Sequence, residues 1–228
     1  MKPIKIPSNL TLLAYESIKQ YVLDGKLDES SRLTEEFLSA TLGISKSPIR
    51  EALNRLEAEG FIRIEPRRGA YLQAFSVKDI SELYDLRQAL ETHVVHTAEL
   101  TPELFAGLAR SLKRMRQFLV NNEKAHYIAE DIRFHSDLAN ATGNSRLCKI
   151  LDNVQNQIWI CRRKTYDLSS STAPAFHETI VAALERGDRS EAERAMSEHI
   201  STVCRKLADF LTQEEERKSR NSVLEQVK

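Results

Sequence analysis

Four side chains stand out for the chemistry that their types and spacing allow. Asp131 and His135 lie one helical turn apart and share a face with Ile128, Ile132, Leu138 and Ala139. His177 falls on a face with Ile180, Val181 and Leu184, and His199 on the stripe Ala192, Ala195, Met196 and Val203. A carboxylate and imidazoles on otherwise apolar faces need partners, because an unpaired polar group is costly to bury. One such histidine alone is more often a satisfied core residue. Four metal-competent groups pointing inward from three helices suggest a metal centre, which facing helices of a bundle can build. Three imidazoles and a carboxylate suit a divalent transition metal, Zn, Ni, Mn or Fe, and ligand type alone does not choose among them. Arg87 shares a face with Leu83, Leu86 and Leu90 and has two readings: an ion pair with Glu91, or a bidentate clamp on a ligand carboxylate. Arg162 and Arg163 are weaker candidates for the same effector-binding role.

A second set of residues suits nucleic acid. Thr34–Gly60 reads as two helices joined by the tight turn Leu42-Gly43-Ile44-Ser45, a helix-turn-helix. Thr34 caps the first of them, with Phe37, Leu38 and Leu42 facing inward. Ser47-Pro48 signals the start of the next, with Ser47 as cap and Pro48 in the first helical position. Ile49, Ala52, Leu53 and Leu56 form its buried stripe, leaving Ser47, Arg50 and Asn54 exposed, with Lys46 just before. Short polar and cationic groups on an exposed N-terminal turn fit phosphate and base-edge contacts. Phe61–Leu72 then reads as a β-hairpin, a wing, with Arg67, Arg68 and Gly69 at its tip.

The elements that must position these residues follow from the rest of the pattern. Seven glycines and six prolines in 228 residues favour long helices, and 41% apolar residues suffice for a core. A helix from Ser8 or Asn9 to about Asp24 carries Leu12, Leu13, Tyr15, Ile18, Tyr21 and Val22 as its apolar positions. From Ser76 onward the pattern is helical. Segments are expected at Ser76–Ala98 with a capping-box start, from Thr101-Pro102 to about Asn122, and at Ala125–Thr142. Three more follow at Ser145–Tyr166, Ala175–Arg186 and Ser190–Thr212, with a loop at Leu168–Pro174. The fold expected is mainly α: a winged helix-turn-helix over 1–75, an all-α bundle over 76–212, and a charged, fraying tail over 213–228.

Charge alone does not announce a nucleic-acid partner. The formal net charge is zero, and residues 1–75 hold eleven Lys/Arg against ten Asp/Glu. DNA binding must then rest on charge placement and on a dimer using it twice. Three cysteines without CxxC spacing fit reduced thiols. No signal-peptide core and no stretch of about 20 apolar residues is present, so a cytoplasmic protein with no membrane span is expected.

Residues 10–72 resemble the winged-helix domain of GntR-type bacterial transcription regulators, through LTEEFLSATLGISKSPIREALNRLEAEGFI and then RRGAYL. That resemblance implies DNA contacts from Ser45, Lys46, Ser47, Arg50 and the Gly69 wing tip. Glu36 departs from the fatty-acid-responsive member, which has a DNA-contacting arginine there. The remainder resembles the FCD-type effector domain of the FadR-type subfamily. Asp131-Ile-Arg-Phe-His135, His177-Glu178 and Met196-Ser-Glu-His199 match its metal-binding subset position by position, and arginines at the Arg87 position face the family's effector pocket.

The expected protein is therefore a metal-containing, ligand-responsive transcription regulator, a repressor in sign. A homodimer would bind a pseudo-palindromic operator in double-stranded DNA, with affinity set by a small carboxylate effector. A metalloenzyme is the rival reading, with Glu178 its one evident base beside the cluster. A third reading is a constitutive DNA-binding protein whose polar cluster is structural.

Overall fold

A computed structural model describes residues 9–28, 31–170 and 172–226, with side chains described for all of these except 9, 163–165, 168–169 and 218–226. Arg163 therefore lies outside the described side chains, and Ser8 outside the described residues. The chain divides into two compact units between Ala74 and Phe75.

The first unit comprises α1 (Asn9–Leu23), α2 (Glu35–Leu42), α3 (Lys46–Ala58), β1 (Ile62–Glu65) and β2 (Gly69–Leu72). Helices α1 and α3 pack together. The Ile49, Ala52, Leu53 and Leu56 stripe of α3 is buried as expected, but α1 buries Ala14, Tyr15, Ile18 and Val22 while Leu12 and Leu13 are exposed. Phe37 is exposed too, leaving Leu38 as the buried residue of α2. The Thr34 hydroxyl accepts from the Phe37 amide at 3.1 Å, and Gly43 closes α2 at φ +67°. Helix α3 starts earlier than Ser47-Pro48 suggests. Ser45 is its N-cap, Ser47 sits inside the first turn, and Pro48 falls third, still where no intrahelical N–H bond is needed.

The two strands pair antiparallel, Ile62 opposite Leu72 and Glu65 opposite Gly69. Leu33 adds a bridge not legible in the sequence, exchanging two 2.8 Å backbone bonds with Ala70. This ties the start of α2 to the wing. Gly69 has φ +117°, and a Cβ there would lie 2.7 Å from the Leu33 carbonyl oxygen, so the close approach requires glycine.

The second unit is all helix: α4 (Val77–Thr97), α5 (Pro102–Val120), α6 (Lys124–Asn140), α7 (Ser145–Ser169), α8 (Ala173–Glu185) and α9 (Arg189–Gln226). The capping box forms, with the Ser76 hydroxyl accepting from the Asp79 amide and the Asp79 carboxylate from the Ser76 amide. Tyr84, Val95, Leu108, Met115, Phe134, Leu151, Ile180, Met196 and Ile200 lie in one apolar core. Two boundaries differ from expectation. The expected loop Leu168–Pro174 is shorter, because α7 runs on to Ser169 and α8 already starts at Ala173, with Pro174 tolerated in its first turn. The charged run after Gln213 continues α9 to Gln226 instead of fraying.

Candidate metal centre and nucleic-acid interface

Helix α6 delivers Asp131 and His135, α8 delivers His177 and α9 delivers His199. All four side chains are at most 1% exposed, and one potential ligand atom from each lies within 4.8 Å of the others. The turn Gly187-Asp188 sets α8 against α9, with the Asp188 carboxylate accepting from the Glu191 amide at 2.9 Å. That pairing brings His177 to His199.

His177 Nε2 lies 3.3 Å from His135 Nε2, 3.2 Å from His199 Nε2 and 3.6 Å from Asp131 Oδ1. A neutral imidazole has one donor and one acceptor nitrogen, so this nitrogen cannot satisfy both neighbouring rings. Asp131 Oδ1 and the Nδ1 atoms of His177 and His199 have no hydrogen-bond partner. Two nitrogens about 2.0–2.1 Å from one zinc ion would be about 2.8–3.4 Å apart at octahedral or tetrahedral angles, so the observed spacing accommodates a shared ion. Phe134 packs on His177 with ring centroids 4.5 Å apart, and Phe176 lies 5.7 Å from His199, giving the cluster an apolar wall on that side.

Burial and neighbouring charge hold three of these groups, His177, His199 and Asp131, in the forms a metal would need. Burial lowers the His177 pKa from 6.5 to about 3 and holds His199 well below its ordinary value, so both are neutral at pH 7. Burial pushes the Asp131 pKa upward, but the charge and hydrogen bond of Arg162, together with the neighbouring imidazoles, outweigh it and hold the carboxyl well below its ordinary value.

Of the three arginines singled out as effector candidates, Arg87 and Arg162 are buried and already engaged. Arg87 donates from Nε to Glu91 Oε1 at 2.6 Å, the ion pair of its two readings, and Arg162 contacts Asp131 Oδ2. The other Glu91 oxygen touches His135 Nδ1. Burial raises the Glu91 pKa, while Arg87 and then His135 lower it further, to about 2. A carboxylate on the far nitrogen of a ligating histidine fixes its tautomer and orientation. Glu91 enters the sequence reading only as a partner for Arg87; the spacing to Arg87 was its one visible signal. Tyr84 Oη, Gln155 Nε2 and Arg162 Nε are further buried polar atoms lacking hydrogen-bond partners. Glu178 is directed elsewhere, pairing at the surface with Arg116 at 2.5 Å, which removes the base that a metalloenzyme would need. His96 and His126 pair with surface acids, and His93 is exposed.

In the first unit, Ser45, Lys46, Ser47 and Arg50 are exposed on the N-terminal turns of α3, and Arg67, Arg68 and Gly69 form the hairpin tip. A cleft of about 460 Å³ is lined by Thr34, Glu35, Arg50, Asn54, Arg67 and Arg68, among others. The Ser45 side chain makes no cap bond. Arg67 takes φ +65° and has no partner among the described residues, whereas Arg68 lies 3.4 Å from Glu65. The acids of α2 were missed as partners. Glu35 receives Arg50 Nε and Nη2, each at 2.7 Å, and Glu36 receives Lys46. Hydrogen bonding to Arg50 holds the Glu35 carboxyl below its ordinary pKa.

Comparison with known proteins places both halves. Residues 10–72 match the model of bacterial regulatory proteins of the gntR family, and residues 82–202 match the FCD domain. The HTH-type transcriptional regulator YdhC of Bacillus subtilis is 26% identical over 92% of this chain and 96% of its own length. The gluconate operon transcriptional repressor of the same organism is 30% identical over 63% of this chain and 59% of its own. A GntR transcriptional regulator from Rhodococcus shares the fold, with a TM-score of 0.76 at 21% identity over 88% of this chain and 98% of that one. No described helix is long and apolar enough to cross a membrane. A winged helix-turn-helix joined to an FCD bundle, matched over nearly the whole chain, makes this protein a member of the GntR family of bacterial DNA-binding transcription regulators.

Proposed function

We propose that this regulator senses a small carboxylic acid at a divalent metal held by Asp131, His135, His177 and His199. Residues 1–75 and 76–212 are assigned as its DNA-binding and effector domains, with 213–228 as a C-terminal extension. The observation that carries the reading is the convergence of three buried Nε2 atoms around one point, with an unpartnered carboxylate oxygen beside them. When bound, a transition metal supplies a Lewis-acidic contact for a ligand oxygen. Arg87 and Arg162 place guanidinium charge in the same interior, where a ligand carboxylate could compete with Glu91 and Asp131 for their donors. A homodimer would present two winged helices to the half-sites of a pseudo-palindromic operator. The effector acts by binding one arrangement of the pair better than another. The repressor sign follows the relatives named as repressors.

Elemental analysis of the purified protein, followed by a thermal-shift screen of small carboxylic acids with and without chelator, tests this. About one divalent ion per chain is expected, with a midpoint lowered by chelator. An effector at about 100 times its Kd should add about 2.7 kcal/mol of stability. Metal-free protein indifferent to chelator would leave the cluster a structural feature and sink the sensor assignment.

A further inference from the structure

The Arg50 guanidinium is exposed, yet it is not free to swing. Glu35 accepts from both its Nε and Nη2 in a fork-to-fork pair at 2.7 Å, and the Glu35 side chain is only 26% exposed against 62% for Arg50. The backbone that carries Glu35 is itself anchored. It is the first residue of α2, directly after the Thr34 cap, and Leu33 just before it is bridged to Ala70 of the wing through both backbone bonds. The close backbone approach at Gly69 permits that bridge. A continuous path therefore runs from wing to carboxylate to guanidinium. The Lys46–Glu36 pair differs: it is a single contact between side chains 49% and 70% exposed, the kind water and salt readily dissolve.

We infer that Glu35 is a positioning residue for base recognition: it aims Arg50, through the wing-anchored start of α2, at a guanine edge in the major groove. Glu35 uses the Nε edge of the guanidinium and leaves the Nη1 donors, together with one on Nη2, unengaged by it. Two such parallel donors match guanine O6 and N7. This rests on the assignment of α3 as the helix that reads DNA. The alternative is a brake, in which Glu35 merely neutralises Arg50 and weakens binding to every sequence.

The two roles separate by salt dependence and specificity. A duplex is first selected from a random library with the full-length wild-type protein. Binding of wild type, Glu35→Gln, Glu36→Gln, Arg50→Lys and Arg50→Ala to it and to random-sequence duplex is then titrated across salt concentrations. Removing an acid facing DNA should help nonspecific binding in both glutamine variants. Glu35→Gln alone should lower the selected-to-random affinity ratio, by about tenfold or more, the scale of one bidentate base contact. Its thermal midpoint should stay near wild type, and no further loss should follow in the Glu35→Gln, Arg50→Ala double variant. Arg50→Lys, which keeps the charge without the fork, should lose the ratio alike. If Glu35→Gln instead binds both duplexes more tightly with the ratio intact and the salt slope steeper by about one, the residue is a brake and the inference is wrong. Retention of the full ratio by Arg50→Lys also overturns it. Wild-type binding by Arg50→Ala would instead overturn the assignment of α3 on which the inference rests.

Discussion

Glu91 joins two features of the bundle that would otherwise be independent. One oxygen holds Arg87 and the other holds His135, and all three side chains are at most 2% exposed. Glu91→Gln keeps the shape but removes the charge that orients the His135 imidazole. Metal affinity should fall about 10–100-fold, the usual effect of losing such a partner, while saturating stoichiometry is unchanged. Competition with a graded chelator measures it. Unchanged affinity would mean that Glu91 serves Arg87 alone. The four candidate ligands were legible because each is a polar intrusion at helical period on an apolar stripe. Glu91 was not, because an i, i+4 Arg–Glu pair reads the same on a solvated face as in a core. The Arg162–Asp131 pair was invisible for another reason: it joins α7 to α6, and no local spacing records contacts between helices.

At the level of elements, the wing shows how one backbone constraint serves three segments. Gly69→Ala would place a methyl group 2.7 Å from the Leu33 carbonyl at φ +117°, so either the hairpin or the Leu33–Ala70 bridge must give way. A loss of about 1–3 kcal/mol is expected from the conformation alone, read as a lower denaturation midpoint of the first unit. Wild-type stability would show that the hairpin tip relaxes independently of α2. Helix existence followed from caps and periods at Thr34, Ser76 and Thr101, where local chemistry decides the matter. Helix faces and ends were less legible. In α1, Leu12-Leu13 and Ala14-Tyr15 are adjacent apolar pairs, and only packing against α3 chooses between them. Before α8, the Ser/Thr/Pro composition that usually marks a loop also supplies the residues a helix start tolerates. In α9, continuation past Thr212 gave no apolar signal, because Gln213-Glu-Glu-Glu-Arg217 is wholly polar and buries no side chain.

For the molecule as a whole, two compact units with separate buried cores should unfold in two transitions, and acid should act mainly on one. The buried histidines all belong to the second unit. His177 titrates at about 3 when folded against 6.5 ordinarily, so between these values the unfolded chain binds more protons. Stability therefore rises with pH across that window and is lost as pH falls through it. His199, likewise depressed by burial, acts in the same direction. Glu91 adds a second loss lower down, since its carboxyl titrates at about 2 when folded against 4.5 ordinarily, so its contribution disappears between those values. Calorimetry in chelator at pH 7.5 and pH 5.0 isolates the protein's own contribution from metal release. The transition of the FCD unit should move down at pH 5.0 by more than that of the winged helix. His177→Gln should flatten its dependence, because glutamine has no proton to gain. An FCD transition that holds steady or rises on acidification would mean that the histidines bind protons in the fold, and the exclusion of water from His177 and His199 would then be wrong. The same burial would favour the proposed metal at neutral pH, since imidazoles that resist protonation, as His177 and His199 do, remain available as ligands where free histidine begins to lose its lone pair.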